Sequence, residues 1–498
     1  MAVIAIDAGT SVIKAVAFAE DGRELALART SAEVLHPKPG SSEQSMQGVW
    51  DAVQSTVREV ASTLEEPVTL ICTTAQGDGC WLVDEQGNPT GNAMLWNDGR
   101  GKAAVERWGA EGNLAHAMQI SGSMTYPGLC NAQMEWLRGE DPERLNRSRW
   151  ILSCNGWLFA KLTGRIAAEI SDASNPFGDA QTRTYSDEIF SAFGLESYRD
   201  MFPEIASGAA LQAPLTDHAA KKLNLSADIP VVMAPYDIVT TAYGAGVVSP
   251  GEACLILGTT ICGEAITDKL NLNAPGTGTL LALAESRYMR AMPTLAGCET
   301  LEWAAHILGA SNLDALEELA KCAEIESNGI LFLPYLSEAG ERSPFLDPLA
   351  SGSWHGLKLS HRREQLSRAV YEGLSFVIRE CLEAAASDIH ELRVCGGGSR
   401  SSFWCQLIAD VTGLRVLRST EHEVGARGAY LFGRFITGRY KSLAEGVKEQ
   451  PLSFDCFIPT PETTTIYART YERFLLTRGS QRSWLANQEQ AAAEGAPA

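Results

Sequence analysis

Two apolar runs, about 250 residues apart, constrain this chain more than any other feature. Val3-Ile4-Ala5-Ile6 breaks into Asp7-Ala8-Gly9-Thr10, and Leu255-Ile256-Leu257 breaks into Gly258-Thr259-Thr260. Each reads as a buried strand entering a tight turn of glycine and hydroxyl residues. Glycine lets a backbone approach a phosphate closely, and successive N–H groups in such a turn form an anion nest. A carboxylate in the first turn would repel phosphate unless a divalent cation lies between them. Asp7 therefore points to metal–nucleotide chemistry, and the two turns point to two lobes closing on one polyphosphate.

A chain of 498 residues exceeds a single core, so two or three domains are expected. Hydrophobic content of 45% and charged content of 20% are those of an ordinary globular enzyme. A formal net charge of −20 argues against binding nucleic acid or an anionic membrane, because both need clustered Lys and Arg. It leaves ATP open, which needs only a local positive site. No apolar run approaches the ~20 residues of a membrane span. The start of the chain lacks a basic region and meets Asp7 almost at once, so no signal peptide is expected and the protein reads as cytoplasmic. The 12 Cys include no CxxC and no zinc-like spacing with His, which suggests reduced, packed thiols.

Strand-like and helix-like segments alternate, which indicates α/β architecture. Strands are expected at Val3–Ile6, Val12–Phe18, Val68–Cys72, Val231–Ala234, Cys254–Leu257, Ile330–Leu333 and Leu392–Cys395. Helices are expected at Gly48–Leu64, around Gln133–Leu137, and at Leu301–Leu308, Arg363–Ala386 and Ser402–Val411. Tyr243-Gly244-Ala245-Gly246 reads as a mid-chain hinge, dividing residues 1–246 from 247–478. Residues 479–498 read as a flexible tail, most clearly from Gln488 onward, where composition favours no core. No fixed-period repeat is visible.

Several constellations carry chemistry, each with a plainer alternative. Lys14 follows the first turn and could reach a phosphate, or it could be a snorkelling surface cation. Gly396-Gly397-Gly398 lies between a strand and a helix, where backbone can approach a nucleotide or simply turn. Asp237 ends Pro230–Tyr236, at the strand end where open α/β sheets place ligands. It could accept a proton from an attacking hydroxyl, or cap the next helix. Gln76-Gly77-Asp78-Gly79-Cys80-Trp81 and Trp96-Asn97-Asp98-Gly99-Arg100 combine carboxylate, amide and indole. Such groups suit a polyhydroxylated ligand, whose hydroxyls donate to carboxylate and whose C–H face packs on indole. Glu341-Arg342 reads as a structural salt bridge or a lobe cap, with no chemical role apparent.

In this order the motifs resemble the FGGY carbohydrate kinases. The matching segments are the Asp7 turn, Trp96-x-Asp98-x-Arg100, Leu162-Thr163-Gly164, Asp237, Gly258-Thr259-Thr260, Leu333-Pro334-Tyr335 with Glu341-Arg342-Ser343-Pro344, Arg368-Ala369-x-x-Glu372-Gly373 and Gly396-Gly397-Gly398-x-x-Ser401. The resemblance covers Ala2 to about Arg478. It implies a two-lobed actin/hexokinase-like fold, each lobe with a ribonuclease-H-like core, acting with ATP and Mg²⁺ on a sugar or polyol. By position, Asp237 resembles the catalytic base and, with Asp7, a metal-associated carboxylate. Thr10, Ser11, Lys14, Gly258, Thr259, Gly397 and Ser401 fall at nucleotide positions. Asp78, Trp96, Gln76 and Asp237 fall at substrate positions. Glycerol kinases carry Arg-Glu where this chain has Gly77-Asp78, and typical xylulose kinases carry Met-His. Gln-Gly-Asp-Gly and Asn155-Gly156-Trp157-Leu158 look more like the erythritol and L-xylulose kinase branch.

The expectation is a polyol or ketose kinase with small-molecule partners and no nucleic acid or membrane partner, a homodimer remaining open. Erythritol or L-xylulose is favoured over D-xylulose or glycerol. A non-catalytic sensor on the same fold is the rival.

Overall fold

The computed structural model describes residues 1–272, 277–420, 422–450 and 452–493. β1 (Ala2–Ala8) forms a hairpin with β2 (Val12–Ala19), and β3 (Glu24–Ser31) extends it antiparallel. On the other side of β1 lies β4 (Val68–Ala75), in parallel. A short strand, β5 (Gln212–Pro214), forms the edge beyond β6 (Pro230–Met233), which runs parallel to β4. The sheet order is β5-β6-β4-β1-β2-β3. β1 is almost wholly apolar because both of its faces are covered.

The second half repeats this topology. β7 (Glu252–Leu257) and β8 (Ile261–Thr267) form a hairpin. β9 (Thr279–Ala282) and β10 (Tyr288–Pro293) extend it antiparallel, with β10 against β8. β11 (Glu391–Cys395) and β12 (Arg415–Ser419) continue in parallel on the other side of β7, and β13 (Phe454–Phe457) closes the edge. The order is β9-β10-β8-β7-β11-β12-β13. Each half thus carries three antiparallel strands followed by two parallel ones, the core arrangement of ribonuclease H, with β9 as an additional antiparallel strand in the second.

The expected strands and helices all occur, with ends shifted by a few residues. α1 (Met46–Thr63) starts where the Ser45 hydroxyl accepts from the Gly48 N–H, and its apolar face covers the first sheet. α2 (Cys154–Thr163) packs on β4 and β6, and the long helix α4 (Arg363–Ala385) lies against the second sheet. All twelve cysteines are free, and most are buried. Among the described residues no helix is long and apolar enough to cross a membrane.

Two expectations differ. The chain is helical from Pro461 to Ala493, through most of the segment read as a flexible tail; residues 494–498 lie outside the described residues. The segment read as a hinge is not a free connection. α3 (Asp237–Gly244) ends there, with Tyr243, Gly244 and Ala245 buried. α3 packs across α6 (Val424–Ile436), which comes from the far end of the chain and also covers β1 and β4. One apolar core accordingly runs from the first sheet through both helices to Cys254, Ile266 and Cys395 of the second.

Glycines set this crossing. A Cβ at Gly244 would overlap the Val424 carbonyl oxygen, and one at Gly428 would overlap that of Thr240. Neither obstacle can rotate away, since both are backbone. Gly428→Ala should therefore cost about 3 kcal/mol or more, at the upper end for overpacking. Gly139→Ala, in an open position with nothing within 4 Å, should leave the melting temperature unchanged or raise it. Thermal denaturation of both variants checks this; equal melting temperatures would show that the crossing tolerates separation.

Candidate active site

β1 and β6 end at the same edge of the first sheet, and so deliver Asp7 and Asp237 to one place. Asp7 is the penultimate residue of β1, opposite Lys14 across the hairpin. Asp237 is the first residue of α3. The backbone before it is pinned three times. Asn155 Nδ2 donates to the Ala234 carbonyl at 2.6 Å, Thr74 Oγ1 to the Pro235 carbonyl at 2.8 Å, and the Tyr236 N–H to Ser171 Oγ at 3.2 Å. Burial, and then the charges of Asp7 and Asp78, push the Asp237 carboxyl up to about 8. Burial also raises Asp7; Lys14 opposes this and Glu423 adds to it. These are hard oxygen donors whose mutual repulsion a divalent cation would relieve, so they fit Mg²⁺. Among the described residues no cluster of three His, Cys, Asp or Glu could hold a metal unaided. Mg²⁺ characteristically takes one or two carboxylates and completes its shell with phosphate and water.

The first turn is internally braced. Trp96 Nε1 donates to Thr10 Oγ1 at 3.0 Å, and Thr10 Oγ1 to Gln76 Oε1 at 2.8 Å. Gln76 Nε2 donates to Gln44 Oε1 at 2.7 Å, and Gln44 Nε2 returns to the Thr10 carbonyl at 2.6 Å. The polar atoms of Trp96 and Gln76 thus tie their own segments to the first glycine turn. Ser11 is exposed beside it. Lys14 is not a snorkelling cation: Nζ lies 2.8 Å from Glu423 and 3.9 Å from Asp7. Asp98 is structural, accepting from the Ser42 N–H at 2.8 Å and from Arg100 at 2.7 Å.

Asp78 takes φ 55 between two glycines, and a Cβ at Gly77 would run into the Tyr236 ring. Its carboxylate accepts from the Tyr126 hydroxyl at 2.5 Å, with Asn175 Nδ2 at 3.5 Å. Burial raises its pKa; Tyr126, Asn175 and Arg342 act against the rise. Tyr126, Asn175 and Glu423 were missed by sequence reasoning. Only the polar stretch Ser121–Tyr126 offered any signal for the first of them.

The second turn and the glycine run meet in one cavity of ≈ 820 Å³ in the C-terminal lobe. Gly258, Thr259, Gly397 and Ser401 all line it, beside Glu302, Asp314 and Arg400. Ser401 also caps α5 (Ser402–Thr412), its hydroxyl accepting from the Trp404 N–H at 2.9 Å. Thr10, Ser11 and Lys14 are not among its lining residues; they approach from the other lobe.

Two ribonuclease-H-like lobes, one bringing Asp7 and Asp237 together at its strand ends and the other carrying a glycine-lined cavity, have the architecture of the actin and hexokinase class. The chain belongs to the FGGY family of carbohydrate kinases, whose N-terminal domain matches residues 2–244 and whose C-terminal domain matches residues 253–435. Members of this family use ATP with Mg²⁺. The chain is similar to the erythritol kinase of Brucella abortus, at 32% identity over 90% of this chain and 89% of that one. It is also similar to the xylulose kinase of Escherichia coli, at 29% identity over 95% and 97%. Among solved structures, the gluconate kinase of Lactobacillus acidophilus superposes with a TM-score of 0.92 at 20% identity, covering 98% of this chain and 99% of that one.

A Cβ at Gly397 meets nothing within 4 Å and would project into open space. Gly397→Val should therefore raise KM for ATP several-fold while leaving KM for the sugar unchanged. Ser401→Ala should lower stability by about 0.5–2 kcal/mol through loss of the cap. Steady-state kinetics with each substrate varied in turn, together with thermal melts, check both.

Proposed function

We propose that this carbohydrate kinase transfers the γ-phosphoryl group of ATP to a hydroxyl of a small neutral polyol or ketose, with erythritol or L-xylulose ahead of D-xylulose or glycerol. The observation that carries the reading is Asp237. It sits at a helix start in the cleft, on a pinned backbone, with Asp7 and Asp78 near enough to perturb it. The Brucella relative, named as an erythritol kinase, supports the substrate class.

Asp237 accepts the proton as the O–H bond of the attacking hydroxyl breaks and that oxygen bonds to phosphorus, with ADP leaving in line. Gly258, Thr259, Gly397 and Ser401 hold the nucleotide from the C-terminal lobe. Thr10, Ser11 and Lys14 meet the phosphates from the other. Asp7 and Asp237 would hold Mg²⁺, which when bound would screen the phosphate charge. Asp78 accepts from a sugar hydroxyl, and the Trp96 ring packs on its C–H face. Closing the lobes excludes water and limits hydrolysis.

Screening erythritol, L-xylulose, D-xylulose, glycerol, ribitol and gluconate for sugar-stimulated ADP production tests the reading. Erythritol or L-xylulose should be the best substrate, and gluconate should be poor, since Gly77 offers no cation. Efficient gluconate turnover would overturn the pocket assignment, and no stimulation by any sugar would favour a sensor. Asp237→Asn should fold normally and lower kcat by roughly 10²–10⁴. Asp78→Ala should raise KM for the polyol while KM for ATP stays within a few-fold; a parallel rise in both would indicate a folding defect.

A further inference from the structure

The Glu341-Arg342 pair, which has no role in the reaction as described, divides its labour. The two side chains form no ion pair. Glu341 is buried, and its carboxylate accepts from the backbone N–H groups of Leu295 at 2.6 Å and Arg342 at 2.9 Å, with Ala296 at 3.3 Å. That fixes the loop to the segment following β10. Its acceptor capacity is taken up by backbone, and Arg342 is left to point elsewhere. Arg342 Nε donates to the Pro293 carbonyl at 2.9 Å, at the end of β10. Its guanidinium lies 5.7 Å from the centre of the Tyr126 ring. Among the described residues it forms no salt bridge.

Tyr126 belongs to the other half of the chain and donates its hydroxyl to Asp78 at 2.5 Å. A cation on one lobe thus faces an aromatic ring on the other, and the ring's hydroxyl holds the carboxylate read as the sugar acceptor. Arg is suited to this, because its planar guanidinium spreads charge over a ring face while one N–H stays committed to a carbonyl.

We propose that Arg342 is a positioning residue for sugar recognition. From the C-terminal lobe it holds the Tyr126–Asp78 pair in place, so that the sugar pocket is complete only when the two lobes are together. The proposal rests on Asp78 being a sugar contact. It makes acceptor recognition a property of both lobes, although Asp78, Trp96 and Asp237 all belong to the first.

A double-mutant cycle tests it, with kinetics on the best substrate from the screen. Arg342→Gln should raise sugar KM by about tenfold, with ATP KM within about twofold and the melting temperature near that of the parent. Arg342→Lys should recover part of the loss, since it keeps the charge but not the fork. In the Asp78→Asn background, Arg342→Gln should have little further effect on sugar KM. Unchanged sugar KM in Arg342→Gln, or fully additive effects in the cycle, would overturn the proposal. If Arg342→Gln does not fold, Arg342→Lys decides: a raised sugar KM with unchanged ATP KM supports the role, and wild-type values for both overturn it. If Asp78→Asn alone leaves sugar KM unchanged, the sugar-contact reading fails first and takes this proposal with it. A loss confined to Arg342 variants that ignores the residue at position 78 refutes this proposal alone.

Discussion

The contact on which the rest depends is the crossing of α3 and α6. Gly244 lies against the Val424 carbonyl and Gly428 against that of Thr240, so the helices meet backbone to backbone. α3 follows the last parallel strand of the first sheet, and α6 follows the equivalent strand of the second. The crossing therefore joins equivalent ends of two similar units. It also aims the chemistry. Asp237 is the first residue of α3, and Gly425, in the first turn of α6, approaches Asp7 so closely that an added Cβ would lie 3.0 Å from Oδ2. Both helices begin at the cleft, where their N-terminal dipoles favour negative charge. A change in their separation would shift Asp237 with α3 and the α6 backbone that packs against Asp7.

Around this point the polar groups fall into two kinds. Some are saturated: Asp98 by Ser42 and Arg100, Gln76 by Thr10 and Gln44, Glu341 by three backbone N–H groups. They fix loops and have little left to offer a ligand. Others are under-compensated: Asp7, Asp78 and Asp237 are all raised, with burial the largest cause in each. Holding three desolvated acids near one another costs stability unless something binds them. The cleft is built around ligands that bring donors and positive charge.

Much of this was legible in the sequence, for physical reasons. β1, β4, β6 and β7 are largely apolar and buried, and such runs stand out. Asp237 stood out because it follows one of them, where β6 leads into α3. The topological repeat was legible only through the family resemblance, since the two halves share strand order and pairing without a repeating residue pattern. Gly244 was misread because glycine signals either freedom or close approach, and only packing distinguishes them. Tyr126 and Arg342 escaped for another reason. Their significance lies in a contact between residues 216 positions apart, which no local pattern records.

Similarity of fold leaves substrate choice to a few side chains. A solved structure only 20% identical shares almost the whole architecture. Acceptor preference must then follow from what lines the pocket. Here position 77 is glycine, and the Tyr236 ring occupies the space that a side chain would need. Tyr236 cannot readily move, since its backbone N–H is bonded to Ser171 and it precedes the helix carrying Asp237. A cation introduced at position 77 would therefore displace the ring next to Asp237. The glycine and the tyrosine form one unit, and changing acceptor charge at this position requires changing both together.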